Sequence, residues 1–240
     1  MTEGFKLYWK LYYEWFPNDK IKIGFKNLLD KYLYIEEGKI IDIGCGQSPY
    51  LIDMLNSNFK LYAVDIEPLQ IEYLQKRVSD SNFPIERINY STNIFPSKEF
   101  EDFKFTGIIL SNILQFYTLP DAKIFTDRLK NSIVNGGIIV ITAHSWKHPG
   151  NKVEKKEHFK HFYSKSDLYK LFPKKEYEYL YVTEQEAHPD KYEIEFLKEW
   201  IKQVHIQLWN NNNLVAIEKK QNQYIDNSRI NNITMVLKKK

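Results

Sequence analysis

A single cysteine, Cys45, stands in the 240 residues, so no disulfide can form within the chain. Arginine is almost as sparse. Arg77, Arg87, Arg128 and Arg229 are the only four among 34 basic residues, which weakens a case for guanidinium-based phosphate recognition. No strong charge of one sign is present either. The balance of +3 neither excludes a nucleic acid nor argues for one. No apolar run reaches membrane-spanning length and no signal peptide is evident, so a reducing cytoplasm without a membrane partner is the expected setting. Aromatic residues, by contrast, are plentiful at 15%, with 17 Tyr and 15 Phe, enough for a core and an aromatic-lined pocket. The length suits one domain over residues 1–240.

The sequence is most informative at residues 38–49, GKIIDIGCGQSP. Ile40, Ile41 and Ile43 make a short β-branched run with the acid Asp42 near its end. Gly44 and Gly46 then permit tight turning and let a ligand approach the main chain with no Cβ in the way. Ser48 suits a helix cap and Pro49 the first helical turn. Strand, Gly-x-Gly and helix start, in that order, build a nucleotide-type site at the carboxyl end of a parallel strand.

A second apolar run, KLYAVD over 60–65, ends on Asp65, 19 residues beyond Gly46. An acid at that distance accepts the two ribose hydroxyls in nucleotide-binding α/β folds. The plainer reading of Asp65 is that it opens the turn before the next helix. Pro49 stands where a dinucleotide fingerprint wants a third glycine, and no Lys-Ser/Thr pair marks a triphosphate loop. A ligand with ribose and adenine but no phosphate fits this pattern better. A reduced-nicotinamide oxidoreductase stays open as the less favoured reading.

With these motifs the chain resembles the class I S-adenosylmethionine-dependent methyltransferases. Asp42, Gly44 and Gly46 stand for the acid-x-Gly-x-Gly motif and Asp65 for the ribose-binding acid. The likeness runs on through Ile108 to Gln115 and the Asn135-Gly136-Gly137 turn, covering roughly residues 35 to 145. It implies a Rossmann-like α/β fold: a doubly wound, seven-stranded, mostly parallel sheet with an antiparallel last strand and helices on both faces. It also implies S-adenosylmethionine as cofactor. Cys45 and Gln47 in the glycine turn would join the cofactor contacts, with Gly44 and Gln47 as backbone partners for its amino-acid end. Ile66 would cover one adenine face. After strand three the family often places an acid, and this chain departs there. Asn89, Ser91, Thr92 and Asn93 are polar but uncharged; Asn93, beside Ile94, is the candidate for the adenine amino group. Ser111 and Asn112 would lie under the methionine moiety, and Gln115 would face the sulfonium.

Elements are expected as follows. Residues 21–34 form an amphipathic helix with Ile21, Phe25, Leu28, Leu29 and Tyr32 on one face. A helix covers 68–79. Strands fall near Ile85–Tyr90, Gly107–Leu110, Gly137–Thr142 and Tyr177–Val182. A helix from about Pro120 to Ile133 is stopped by Asn135-Gly136-Gly137. The last strand is either Leu214–Glu218 or Ile233–Leu237, after a helical stretch at Ile194–Leu208, inside an insertion of about 190–210. The Asn-rich segments at 210–213 and 222–232 read as exposed loops. Three portions follow: an aromatic helical lid over 1–35, a cofactor-binding core over 36–145, and a substrate side with the last strands over 146–240.

Candidates for the acceptor side lie past strand five. His144 is the candidate base, with Ser145, Trp146 and His148 behind it and His158, His161, Phe162 and Tyr163 in the next segment. Each histidine taken singly reads more readily as a surface or hydrogen-bonded residue than as a functional one. No acid cluster accompanies them, so no metal is expected. Tyr12, Trp15, Trp146 and Tyr163 are the candidate substrate contacts. Tyr192, Phe196, Trp200 and Trp209 are candidates for an opposite wall, although the N-terminal aromatics equally suit packing as core against the sheet. The expected acceptor is a small molecule, methylated at oxygen or nitrogen. A peptide or protein acceptor and a non-catalytic binding module are the alternatives, and RNA is disfavoured by the lack of an arginine stripe.

Overall fold

The computed structural model describes residues 2–17, 23–33, 37–152, 159–226 and 228–240. Seven strands form one sheet: β1 (Lys39–Ile43), β2 (Lys60–Val64), β3 (Ile88–Ser91), β4 (Phe105–Ser111), β5 (Ile133–His144), β6 (Tyr177–Ala187) and β7 (Ile230–Lys239). Their spatial order is β3-β2-β1-β4-β5-β7-β6. The first five are parallel, and β7 inserts antiparallel between β5 and β6. The central strands are covered on both faces, and Ile40, Ile41 and Ile43 are all buried. That double burial is why they read in sequence as unbroken apolar runs. The order of the strands reverses between β1 and β4, the switch point outside whose carboxyl ends open α/β sheets bind their ligands.

Two apolar layers hold the helices to the sheet. On one face Ile40, Leu61, Ile109 and Val140 pack against α2 (Ile23–Leu28) with its following π-turn (Leu29–Leu33), and against α3 (Pro49–Asp53) and α4 (Pro68–Asp80). On the other face Ile41, Val64, Ile108, Leu110 and Ile139 meet α5 (Leu119–Leu129) and α6 (Lys165–Leu171). The expected 21–34 helix is therefore seen over 23–33, while Ile21 lies outside the described residues.

Three sequence expectations need correction. The run from Ile85 is not a strand at its start: Ile85–Arg87 form a 3-10 turn after Pro84, and β3 begins at Ile88. Asn135-Gly136-Gly137 does not stop a helix. α5 ends at Leu129, Lys130–Ser132 form a 3-10 turn, and the β-branched pair Ile133 and Val134 already belongs to β5. Phe105 pairs with Ile133 and Gly107 with Ile138, so the glycines take up extra residues in a bulge, with Gly136 at φ +79°. Finally, Leu214–Glu218 starts a helix, α8 (Leu214–Ile225), capped by the Asn213 side chain accepting from Ala216 N. The last strand is β7, which contains the other candidate run. The asparagines split accordingly, since 222–225 lie in α8 and 230–232 in β7.

The remaining helices form a cap. α1 (Glu3–Trp15) has no buried residue, so it is not core against the sheet. It lies along α7 (Lys191–Gln203), whose N-cap Asp190 and Glu193 make a reciprocal capping box. Tyr8 meets Phe196 and Trp200, each at 5.1 Å between ring centroids, and Phe16 meets Phe196 at 5.1 Å. Trp200 Nε1 donates to Gly4 O and Tyr192 OH to Trp15 O. Tyr192, Phe196 and Trp200 thus close directly on α1 instead of facing it across a gap, and Trp209 points away, 59% exposed.

Candidate active site

The glycine turn joins β1 to α3 and is pinned to the end of β2, because Gly44 N and Cys45 N both donate to Val64 O. Gly44 has φ +67°, and a Cβ there would meet Ile113 Cδ1 at 2.6 Å. Gly46 has φ +51°, yet a Cβ there would meet nothing within 4 Å. The first glycine is thus demanded by packing and conformation, while the second borders open space that a ligand can fill.

Asp42 is buried below this turn. Its Oδ2 accepts from Ser48 Oγ at 2.6 Å, and Ser48 Oγ in turn caps α3 by accepting from Leu51 N. Its other oxygen, Oδ1, has no partner. Burial pushes the carboxyl up to about 7, with the Ser48 bond opposing and the nearby Asp65 charge adding to the rise. Asp65 follows β2, its Oδ2 accepting from Gly46 N and its Oδ1 from Glu67 N, each at 2.9 Å. Burial raises its pKa against those two bonds. Cys45 is buried and its thiol is driven up by burial, so it is a poor nucleophile.

Gln47 is engaged at both ends of its amide. Its Nε2 donates to Trp9 O at 3.0 Å, and its Oε1 accepts from Arg77 Nε at 2.9 Å and Nη2 at 2.7 Å. Arg77 Nη1 also donates to Phe16 O and Pro17 O. These bonds fasten α1 over the glycine turn. The side chain of Gln47 is therefore a strut, leaving its backbone for a ligand.

The rim is apolar at two points, where Ile66 and Ile94 are 68% and 70% exposed. Asn93 is exposed, its backbone N donating to Ser91 Oγ. Ser91 Oγ itself donates to Glu99 Oε1. The 3-10 turn Lys98–Phe100 thus folds an acid back to the tip of β3. Seven residues lie between Ser91 and Glu99, which hides the acid from a motif search.

At the end of β4, Asn112 adopts φ +52°, left-handed, and is held by its N donating to Thr142 O at 2.9 Å. Gln115 Nε2 donates to Asn112 O at 2.8 Å, which fixes the direction of its amide. Asn112 Oδ1 and Gln115 Oε1 are then buried without partners. Ser111 Oγ pairs with Tyr50 OH and Thr142 Oγ1. The carboxyl edge therefore presents three unpartnered acceptor oxygens: Asp42 Oδ1, Asn112 Oδ1 and Gln115 Oε1. Such a set suits a ligand carrying positive charge and hydrogen-bond donors, and it repels phosphate.

His144 closes β5 opposite Asn232 of β7, and its Nδ1 lies 2.8 Å from Asn232 Oδ1. An amide oxygen only accepts, so Nδ1 carries the proton and Nε2 keeps its lone pair. Burial lowers its pKa, with the Asn232 bond opposing. The His148 ring lies 4.5 Å away, lowered to about 4 by burial and by His144. Phe159 and Phe162 complete the cluster, at 4.9 and 6.3 Å from the His144 ring. Asn232 lies 88 residues from His144 and Phe159 fifteen beyond it; only the fold joins them.

The other expected contacts scatter. Tyr163 is fully buried, its hydroxyl donating to Leu114 O at 2.9 Å, so it supports the turn carrying Gln115 from beneath. Trp146 is 54% exposed. Tyr12 and Trp15 turn their rings to Phe196. His161 lies 3.5 Å from Asp167, and His158 falls outside the described residues. Among the described residues no three or more His, Cys, Asp or Glu are placed to hold a metal ion.

The family described as a methyltransferase domain matches residues 36–229. No curated protein matches the sequence. Among solved structures the fold is similar to TehB of Haemophilus influenzae, at 15% identity and TM-score 0.61, covering 95% of this chain and 66% of that one. It is similar to a Haemonchus contortus phosphoethanolamine N-methyltransferase 2 at 16% and 0.62, covering 99% and 58%. A putative sarcosine dimethylglycine methyltransferase from Galdieria sulphuraria gives 11% and 0.67, covering 96% and 97%. The chain thus spans just under two thirds of the first of these proteins and 58% of the second. At such identities the likeness is one of fold.

Proposed function

The chain belongs to this methyltransferase domain family, and from that premise we propose that it methylates an oxygen or nitrogen of a small-molecule acceptor. S-adenosylmethionine is the cofactor, and when bound it supplies an electrophilic methyl on a sulfonium with a good leaving group. The carrying observation is the set of unpartnered acceptor oxygens on Asp42, Asn112 and Gln115, whose lone pairs suit an ammonium and a sulfonium. Asp65 would take the ribose hydroxyls, for which a carboxylate offers only acceptors. Ile66 and Ile94 would cover the adenine, burying apolar surface that is otherwise exposed.

Methyl transfer needs mostly alignment of nucleophile, methyl carbon and sulfur, with water kept out. On this reading α1, fastened by Gln47 and Arg77, excludes water from above. His144 takes a proton at Nε2 from the acceptor's hydroxyl or amine, its ring oriented by Asn232. The cluster of His148, Phe159 and Phe162 carries no charge at neutral pH and favours an uncharged, flat portion of the acceptor. Label transfer from methyl-tritiated S-adenosylmethionine into pools of phenols and amines tests this. Label entering small acceptors supports the proposal; label entering only added peptide or protein contradicts it.

A further inference from the structure

β6 ends and β7 begins at the carboxyl edge of the sheet, so the α7–α8 insertion leaves from and returns to the edge that holds the glycine turn. A π-turn over Val204–Leu208 and a left-handed Asn210 end the outgoing helix, and α8 starts at Leu214. The tip between them is unlike the rest of the chain. Charged residues make up 27% of the sequence, yet none of Lys, Arg, Asp or Glu occurs from Gln203 to Ile217. Within that gap Leu208, Trp209, Leu214 and Val215 are 40%, 59%, 71% and 77% exposed. Asn210, Asn211, Asn212 and Asn213 fill the turn with amides that carry no charge.

Exposed leucine and valine at a helix-hairpin tip are unfavourable in water and need a cover. Four side chains at the end of two helices make a point, whereas a stable protein partner wants a face of about 800 Å². The surroundings indicate a different partner. On one side of the gap Lys202 is paired with Glu199 at 3.6 Å, and on the other exposed Lys219 and Lys220 follow Glu218. An uncharged wedge with a tryptophan and the exposed pair Lys219 and Lys220 beside it matches the interface of an anionic bilayer, where indole sits at headgroup depth and ammonium groups meet lipid phosphates. Among the described residues no helix is long and apolar enough to cross a membrane. That bears on spanning; docking to the surface is a separate matter.

We propose that the α7–α8 tip is a membrane-surface anchor: Leu208, Trp209, Leu214 and Val215 enter the headgroup layer of an anionic membrane, and the lysines hold its surface charge. The inference stands on the tip alone and does not depend on the methyl-transfer reading.

Sedimentation of the whole chain with vesicles of mixed phosphatidylglycerol and phosphatidylcholine, against phosphatidylcholine alone, tests it. Binding to the anionic vesicles is expected, with quenching of tryptophan emission by bromolipid. The double variant Leu214→Glu/Val215→Glu should lose about tenfold or more in vesicle affinity, and Lys219→Glu/Lys220→Glu should weaken it in a salt-sensitive way. All four side chains are exposed, and unchanged circular dichroism with unchanged S-adenosylhomocysteine binding will show that both variants are folded. Failure of the unmodified chain to sediment overturns the proposal. So does equal binding by the Leu214→Glu/Val215→Glu variant, or self-association through these residues without vesicle binding.

Discussion

Asp42 shows how much one buried oxygen can decide. Its carboxyl titrates near 7 in the folded chain against 3.8 when free. Between those values the folded protein keeps a proton that the unfolded chain has released. Its contribution therefore favours folding at the acid end and is lost as pH rises from about 4 through about 7. Asp42→Asn, fixed in the neutral form, should flatten that slope. In cofactor-free protein its melting temperature should gain on that of the parent from pH 5 to 8, and parallel profiles would count against the assignment. A ligand ammonium near Oδ1 favours the carboxylate, so affinity for S-adenosylhomocysteine should rise with pH through the same window and cease to do so in the variant. Asp65→Ala should weaken that affinity by about 2 kcal/mol or more, since a charged double acceptor is removed. Titration calorimetry reads both effects. His144, held neutral by burial, should matter to rate alone: His144→Ala slows methyl transfer and leaves cofactor affinity unchanged.

At the scale of elements, two side chains tie the N-terminal helix to the glycine turn and α4, beside its contacts with α7. Arg77 reaches Gln47 and the carbonyls of Phe16 and Pro17, and Gln47 reaches Trp9. Arg77→Met should therefore speed amide exchange across residues 3–15 while strands β1, β2 and β4 keep their protection; equal protection of that helix would show that α7 alone retains it. Elements were legible in the sequence where local chemistry and tertiary context agree. Ser48-Pro49 announces α3. The apolar runs before Gly44 and Asp65 announce β1 and β2. Legibility failed where pairing overrides a local signal. Asn135-Gly136-Gly137 looks like a helix stop, but a strand takes it up as a bulge because β4 offers it a partner. Leu214-Val215 looks like a strand, but Asn213 caps it into a helix. The site divides in the same way. The glycine turn and Asp65 are contiguous with their strands and could be found from spacing. Glu99, Asn232 and Phe159 reach the site through a folded-back turn, an antiparallel neighbour and a crossing loop, and no local pattern marks them.

For the whole molecule, the strand order places every candidate cofactor contact at one edge. β2, β1 and β4 lie side by side, so Asp65, the glycine turn and Asn112 meet although 47 residues separate the first from the last. The fold is similar to that of structures at 11–16% identity, which shows how little sequence the sheet itself requires. The chemistry rests on the edge, with its unpartnered oxygens on Asp42, Asn112 and Gln115. Cofactor that binds only the folded chain should stabilise it by about 2.7 kcal/mol at a hundredfold excess over its dissociation constant. Calorimetric titration with S-adenosylhomocysteine, with NADH run alongside, tests the account most directly. Micromolar binding of S-adenosylhomocysteine and none of NADH is the predicted result. Binding of NADH alone, or of neither, would contradict it.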